Sequence, residues 1–298
     1  MSEKLKIGYF ADGPWSHRAF ELLAKDDSIK ICFIVPRSDT KDMTLLNYAN
    51  EYSIPYLTEV RVNSVEFYEK ASYFKCDLFV SMSFNQIFRP KIASLPRCGT
   101  INCHAGKLPF YRGRNILNWA LINDEKEFGI TVHFIDEGID TGDIILQRTF
   151  PIADHDDYAT LLQVAHTECA NILYEAVSLF NKDEVGRTAQ GTIHPIGMYC
   201  GQRNIGDERI DWNQTSRDLF NFIRAICEPG PIAETTLGEV VVKINKSNMI
   251  HQAPSYIGIP GQVIGKTERG FLVKTKDSFL EIYDIRTPTK VKVGDRLM

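Results

Sequence analysis

Short apolar runs alternate with amphipathic stretches through the first hundred residues, and this alternation constrains the fold more than any other feature of the chain. Leu5–Phe10, Ile29–Val35, Asp77–Met82 and Gly99–His104 have the length and composition of strands. After the first, Asp12-Gly13-Pro14 offers a helix cap and a proline suited to the opening turn, and Trp15, Ala19, Leu22 and Leu23 continue at helical spacing. Further helices are expected over 42–52 and 64–74. Strands separated by helices predict an open, mostly parallel α/β sheet with helices on both faces. Ligands of such sheets bind beyond the carboxyl ends of the strands, which points to Ala11–Trp15, Ser83–Phe88 and Asn102–Tyr111. Neither GxGxxG nor GxxxxGK[ST] occurs, so dinucleotide and P-loop binding lack their fingerprints.

Beyond Phe150 the pattern changes. Asp156 or Asp157 can cap a long amphipathic helix carried by Tyr158, Leu161, Leu162, Ala165, Cys169, Ile172, Leu173 and Ala176. Residues 186–209 resemble a linker, 216–227 a helix, and from Glu234 short β runs separated by Gly, Lys and Asp predict a small β domain. The expected division is a catalytic domain over 1–185, a linker and helix over 186–230, and a C-terminal β domain over 231–298.

With 298 residues, 44% hydrophobic, the chain can bury a sizeable core. Its formal net charge of −4 argues against a broad basic face for nucleic acid. Seven scattered cysteines without a CxxC spacing suit a reducing compartment better than a disulfide framework. MSEKLKIGYF lacks the apolar core of a signal peptide, and no run is long and apolar enough for a membrane span, so a cytoplasmic protein without membrane contact is expected.

The chemistry concentrates in INCHAGKLPFYRGRN, Ile101–Asn115, and DEGIDTGD, Asp136–Asp143. A strand through 99–104 sends Asn102 and His104 to one face and Cys103 to the other. With Asp140 they form an amide, an imidazole and a carboxylate, a set suited to acyl transfer through a tetrahedral intermediate. No metal is required.

These two stretches resemble the formyltransferases that use 10-formyltetrahydrofolate, a family including methionyl-tRNA formyltransferase and the sugar N-formyltransferases. Asn102 and His104 match the family's NxH, and Asp140 matches its aspartate loop. IDWNQTSRDLFNFIRA, Ile210–Ala225, resembles the interdomain region, and IPGQVIGKTERGFLVKTKDSFLEI the C-terminal barrel. The resemblance implies a Rossmann-like catalytic domain, an OB-like C-terminal barrel, a family-type homodimer, and catalytic roles for Asn102, His104 and Asp140. It implies a folate slot near Met82, Phe84, Ile87, Phe88, Ile135, Glu137 and Ile139.

The wording KLPFYRGRNILNWAL is closer to the sugar N-formyltransferases. The expected acceptor is therefore the primary amine of a nucleotide-linked amino-deoxysugar, as in surface polysaccharide synthesis, with methionyl-tRNA as the alternative. Asp12, Gly13 and Trp15, on the predicted ligand rim, are expected acceptor contacts, and so are Lys107, Tyr111, Arg112, Arg114 and Asn115, because cationic forks and a helix N-terminus suit phosphate. The five from the Lys107–Asn115 run can equally shape their loop. Trp15 is open between stapling its helix and touching ligand. Cys103 is expected to pack, DHDD at 154–157 to form a turn and cap, and His133 to be structural.

Overall fold

The structure, a computed structural model, describes residues 3–58 and 60–298. Along the chain the elements are β1 (Leu5–Ala11), α1 (Gly13–Ala24), β2 (Ile29–Val35), α2 (Thr44–Glu51), α3 (Val65–Tyr73), β3 (Leu78–Met82), α4 (Pro90–Ala93), β4 (Thr100–His104), β5 (Arg112–Gly113), α5 (Ile116–Ile122), β6 (Glu127–Phe134) and β7 (Ile144–Pro151). They continue with α6 (Tyr158–Lys182), α7 (Gln190–Ile193), β8 (Tyr199–Cys200), α8 (Ser216–Ile226), β9 (Ala233–Leu237), β10 (Val240–Met249), β11 (Val263–Lys266), β12 (Gly270–Lys274) and β13 (Phe279–Arg286). Two compact units result. The first comprises residues up to Gly113 with Phe128–Phe150 and Gln163–Cys200; the second comprises Arg114–Glu127, Pro151–Leu162 and Gly201–Met298.

The first unit is built on a six-stranded sheet in the order β2-β1-β3-β4-β6-β7. β1, β2, β3 and β4 run parallel, and their nearly continuous apolar sequences suit strands covered on both faces. α1 starts where expected: Asp12 accepts a hydrogen bond from Gly13 N at 2.7 Å, and Ala19, Phe20 and Leu23 are buried. Ser64 caps α3 by accepting from Phe67 N at 3.1 Å. Phe10 centres an aromatic cluster, with ring centroids 5.0–5.9 Å from those of Phe33, Phe67, Phe79, Phe84 and Phe88. Phe10→Ala would empty a fully buried site and is expected to cost about 3–5 kcal/mol in urea denaturation. A loss below about 1 kcal/mol would mean the neighbouring rings collapse into the space.

One strand departs from the parallel pattern in a way that matters for the site. β6 runs antiparallel to β4, with Asn102 opposite His133 and His104 opposite Thr131. Directly opposed residues share a face, so His133 stands beside Asn102 and His104.

The second unit carries the five-stranded antiparallel sheet β11-β12-β13-β10-β9. Leu297 bridges Leu237, while Arg296 bridges Gln262 just ahead of β11. The chain's last residues thus join the two edge strands into a small barrel, which removes exposed edges. α5 and α8 pack beside it, tied by Asn118 Nδ2 donating to the Ala225 carbonyl at 2.5 Å. Thr215 caps α8 by accepting from Asp218 N at 3.2 Å. Among the described residues no helix is long and apolar enough to cross a membrane, and all seven cysteines are free thiols.

Candidate active site

Asn102, His104 and Asp140 come together at the carboxyl end of β4, with His133 as a fourth member. His104 Nδ1 lies 3.7 Å from Asp140 Oδ2, and His133 Nε2 lies 3.5 Å from Asp140 Oδ1. The Asn102 amide nitrogen is 3.4 Å from His133 Nε2. Gly113 N donates to Asp140 Oδ2 at 2.9 Å. His133, expected from sequence to be structural, thus faces both Asn102 and Asp140. Its signal was a polar residue inside the apolar run ITVHF, which gains meaning only once β6 pairs with β4.

Each imidazole has one nitrogen on a carbonyl: His104 Nε2 on Tyr111 O and His133 Nδ1 on Phe134 O, both at 2.7 Å. Carbonyl oxygens only accept, so these nitrogens carry protons, leaving His104 Nδ1 and His133 Nε2 turned to the carboxylate. Burial pushes the His104 pKa down, against the opposing pull of Asp140 and the Tyr111 carbonyl. Burial also opposes charge on Asp140, but His104, His133 and the Gly113 N–H outweigh it and hold the carboxyl well below its usual range. The result is a neutral imidazole beside a permanent carboxylate, ready to take one proton at Nδ1.

Two glycines permit this packing. A Cβ at Gly106 would lie 2.3 Å from His104 Nε2 and 2.4 Å from Tyr111 O; one at Gly142 would lie 1.9 Å from Phe134 O. Asp140 itself takes a left-handed backbone, with φ of 55°.

Cys103 points the other way, its Sγ 3.5 Å from the Cys169 carbonyl on α6. Cys103→Ser is expected to leave kcat within about threefold of native, because it changes packing and not the reacting face. A large loss of turnover in a folded variant would reinstate a thiol role.

The remaining site expectations divide. Met82 and Phe88 are buried, Phe88 within the aromatic core. Phe84 and Ile135 are partly buried against that core, whereas Ile87, Glu137 and Ile139 are exposed. Asp12 serves as a helix cap, Gly13 has φ of 79°, and half-buried Trp15 makes an edge contact with His166 at 4.7 Å. Tyr111 is buried and supplies the carbonyl under His104. Lys107 is half-buried in the same loop. Arg112 Nε and Nη2 donate to Gln190 Oε1 at 3.1 and 2.6 Å, and its guanidinium lies over the Tyr199 ring. Arg114 and Asn115 are exposed in the second unit, where Arg114 donates to Gln202 Oε1 and Asn115 Oδ1 accepts from Arg203 N. Asp12, His17 and Asp42 also bring carboxylate and imidazole ligand atoms within 4.8 Å of one another; the acyl-transfer set does not use them.

Residues 17–177 match the formyl transferase family, and residues 205–295 match the formyl transferase C-terminal domain. The chain belongs to this family. A methionyl-tRNA formyltransferase of Pelotomaculum thermopropionicum is 32% identical over 251 residues, covering 84% of this chain and 79% of that protein. That of Clostridioides difficile is 30% identical over 245 residues, covering 82% and 78%. Among solved structures, the sugar 3N-formyltransferase WlaRD, determined in the presence of dTDP and 5-N-formyl-THF, shares the fold with a TM-score of 0.71 at 23% identity, covering 97% of this chain and 100% of that one. An N-formyltransferase from Helicobacter canadensis, in complex with folinic acid and dTDP-3-aminofucose, gives 0.71 at 23% identity, covering 95% and 100%. This formyltransferase thus has close sequence relatives acting on tRNA and similarly folded neighbours acting on sugars.

Proposed function

We propose that this formyltransferase moves the formyl group of 10-formyltetrahydrofolate to the primary amine of a nucleotide-linked amino-deoxysugar. The neutral amine attacks the formyl carbon, and the Asn102 amide N–H meets the charge that develops on the carbonyl oxygen. The proton leaving the attacking nitrogen passes to His104 Nδ1, where Asp140 stabilises the imidazolium. Collapse of the tetrahedral intermediate breaks the carbon–N10 bond, the proton held by His104 is returned to N10, directly or through water, and tetrahydrofolate leaves with the imidazole neutral again. We assign this chemistry to residues 1–185, with Phe84, Ile135 and Ile139 against the folate. The barrel serves architecture or self-association.

The observation that carries the choice of acceptor is that five of the second unit's cations are paired with carboxylates. Arg217 pairs with Asp124 and Asp154, Lys243 with Glu234, Lys246 with Asp157, Arg269 with Glu281, and Arg286 with Glu228. A tRNA acceptor needs cations offered to phosphate, whereas these are offset by neighbouring carboxylates on a chain of net charge −4. The ligands of the two similarly folded sugar enzymes agree with this choice.

The second reading is methionyl-tRNA formyltransferase, favoured by the relatives at 30–32% identity. A paired assay separates them. With 10-formyltetrahydrofolate present, dTDP-3-aminofucose or a related 4-amino sugar is expected to gain one formyl group by mass spectrometry, while charged initiator methionyl-tRNA stays unmodified. Efficient, salt-sensitive formylation of the tRNA would transfer the assignment to the second reading.

A further inference from the structure

We propose that Gln190 is a positioning residue for the proton-accepting pair, setting the distance between Asp140 and His104. It lies in α7, within a stretch whose composition suggests only a linker, yet it is buried. Its Nε2 donates to the carbonyls of Asp140 and Gly142, both at 2.8 Å. Its Oε1 accepts both donors of the Arg112 fork. An amide has two protons and two lone pairs, so every hydrogen-bonding position of this side chain is used.

The partners explain why this matters for chemistry. Asp140 is a non-glycine residue held in the left-handed region, a conformation that persists where surrounding contacts determine it. Gln190 supplies such contacts on the Asp140 carbonyl itself and two residues on. Through Arg112 it also anchors β5, where the next residue, Gly113, donates to the Asp140 carboxylate at 2.9 Å. One side chain therefore ties together the backbone that carries the carboxylate and the N–H that aims it. With the clamp released, the loop can relax and the carboxylate can withdraw from His104 Nδ1, now 3.7 Å away. The imidazole then keeps its burial and loses its main support for a proton, so its pKa falls further.

This inference rests on the proposed roles of Asp140 and His104, and the test separates the two. Gln190→Ala removes all four bonds; Gln190→Met removes the same bonds at nearly the same side-chain volume, so it leaves no cavity and preserves the fold more readily. Both are measured in the whole protein by histidine NMR titration without substrate and by steady-state kinetics with the acceptor the native enzyme formylates. The expected result is a His104 titration lowered by about half a pH unit or more and kcat lowered by roughly 10- to 100-fold, with KM for donor and acceptor little changed. A folded Gln190→Met with native His104 titration and native kcat overturns the proposal, and so does a kcat loss without any change in that titration. Asp140→Asn is the control. If Asp140→Asn is fully active, the proposed proton pair itself fails; if it is inactive while the Gln190 variants behave as native, only the role of Gln190 fails.

Discussion

Asn102→Ala is expected to lower kcat by roughly 100- to 1,000-fold, equivalent to about 2.7–4 kcal/mol of barrier, with little change in stability. The magnitude follows from removing one donor aimed at a charge that exists only in the transition state and intermediate. Asn102 is suited to that role because β4 holds its backbone rigidly between β3 and β6. Its amide nitrogen makes one long contact with His133 Nε2 at 3.4 Å, which fixes the amide plane and leaves a second N–H. Stability should change little because the side chain is only half-buried. The check is kcat by mass detection of the formylated acceptor, beside circular dichroism of the variant. Near-native turnover in a folded Asn102→Ala protein would remove this amide from the mechanism.

Asp140→Asn should cost about as much or more, roughly 100- to 10,000-fold in kcat, because it strips the charge that stabilises a proton on His104. The sign of its pH effect is fixed by the geometry. With the carboxylate gone, burial of His104 is opposed only by the Tyr111 carbonyl, and the imidazole pKa falls further below its ordinary value. In the native enzyme the rate should rise with pH as the bound acceptor amine loses its proton. Asp140 stays ionised throughout that range because its own pKa is depressed.

Stability responds in the same direction. His104 is held neutral, so below about pH 6.5 the unfolded chain binds the proton first and the fold loses stability. Asp140 contributes fully above about pH 3.9, its unfolded value, and that contribution disappears as pH falls through the depressed folded value. Acid denaturation of Asp140→Asn should therefore lose part of the native pH dependence at the acid end. An Asp140→Asn enzyme with native kcat and an unchanged His104 titration would contradict both claims.

Parts of this site were legible in the chain and parts were not. Period-two alternation through INCH places Asn102 and His104 on one face and turns Cys103 away, as the structure has it. Gly106 and Gly142 stand beside the site residues in the sequence, and their small size is required by carbonyls and an imidazole within 2.4 Å of a hypothetical Cβ. Met82 and Phe88 carried the same apolar signal as Phe84. Whether such a residue is fully or only partly buried depends on what packs around it, and neighbouring residues in sequence do not report that. Arg112 meets an amide 78 residues away, a partner that no local signal announces.

By itself the sequence determined the alternation of strands and helices, the faces of β4, the first cap at Asp12 and the presence of a separate β domain. These depend on interactions within a few residues, where side-chain direction follows backbone periodicity. Tertiary structure alone decided that β6 runs antiparallel to β4, bringing His133 to Asn102 from 31 residues away. It also decided that Gln190 closes on Asp140 from 50 residues away, and that the final residues join the barrel's edges. Those pairings are selected by which distant partners satisfy buried donors and acceptors together, a condition met only when the whole unit has folded.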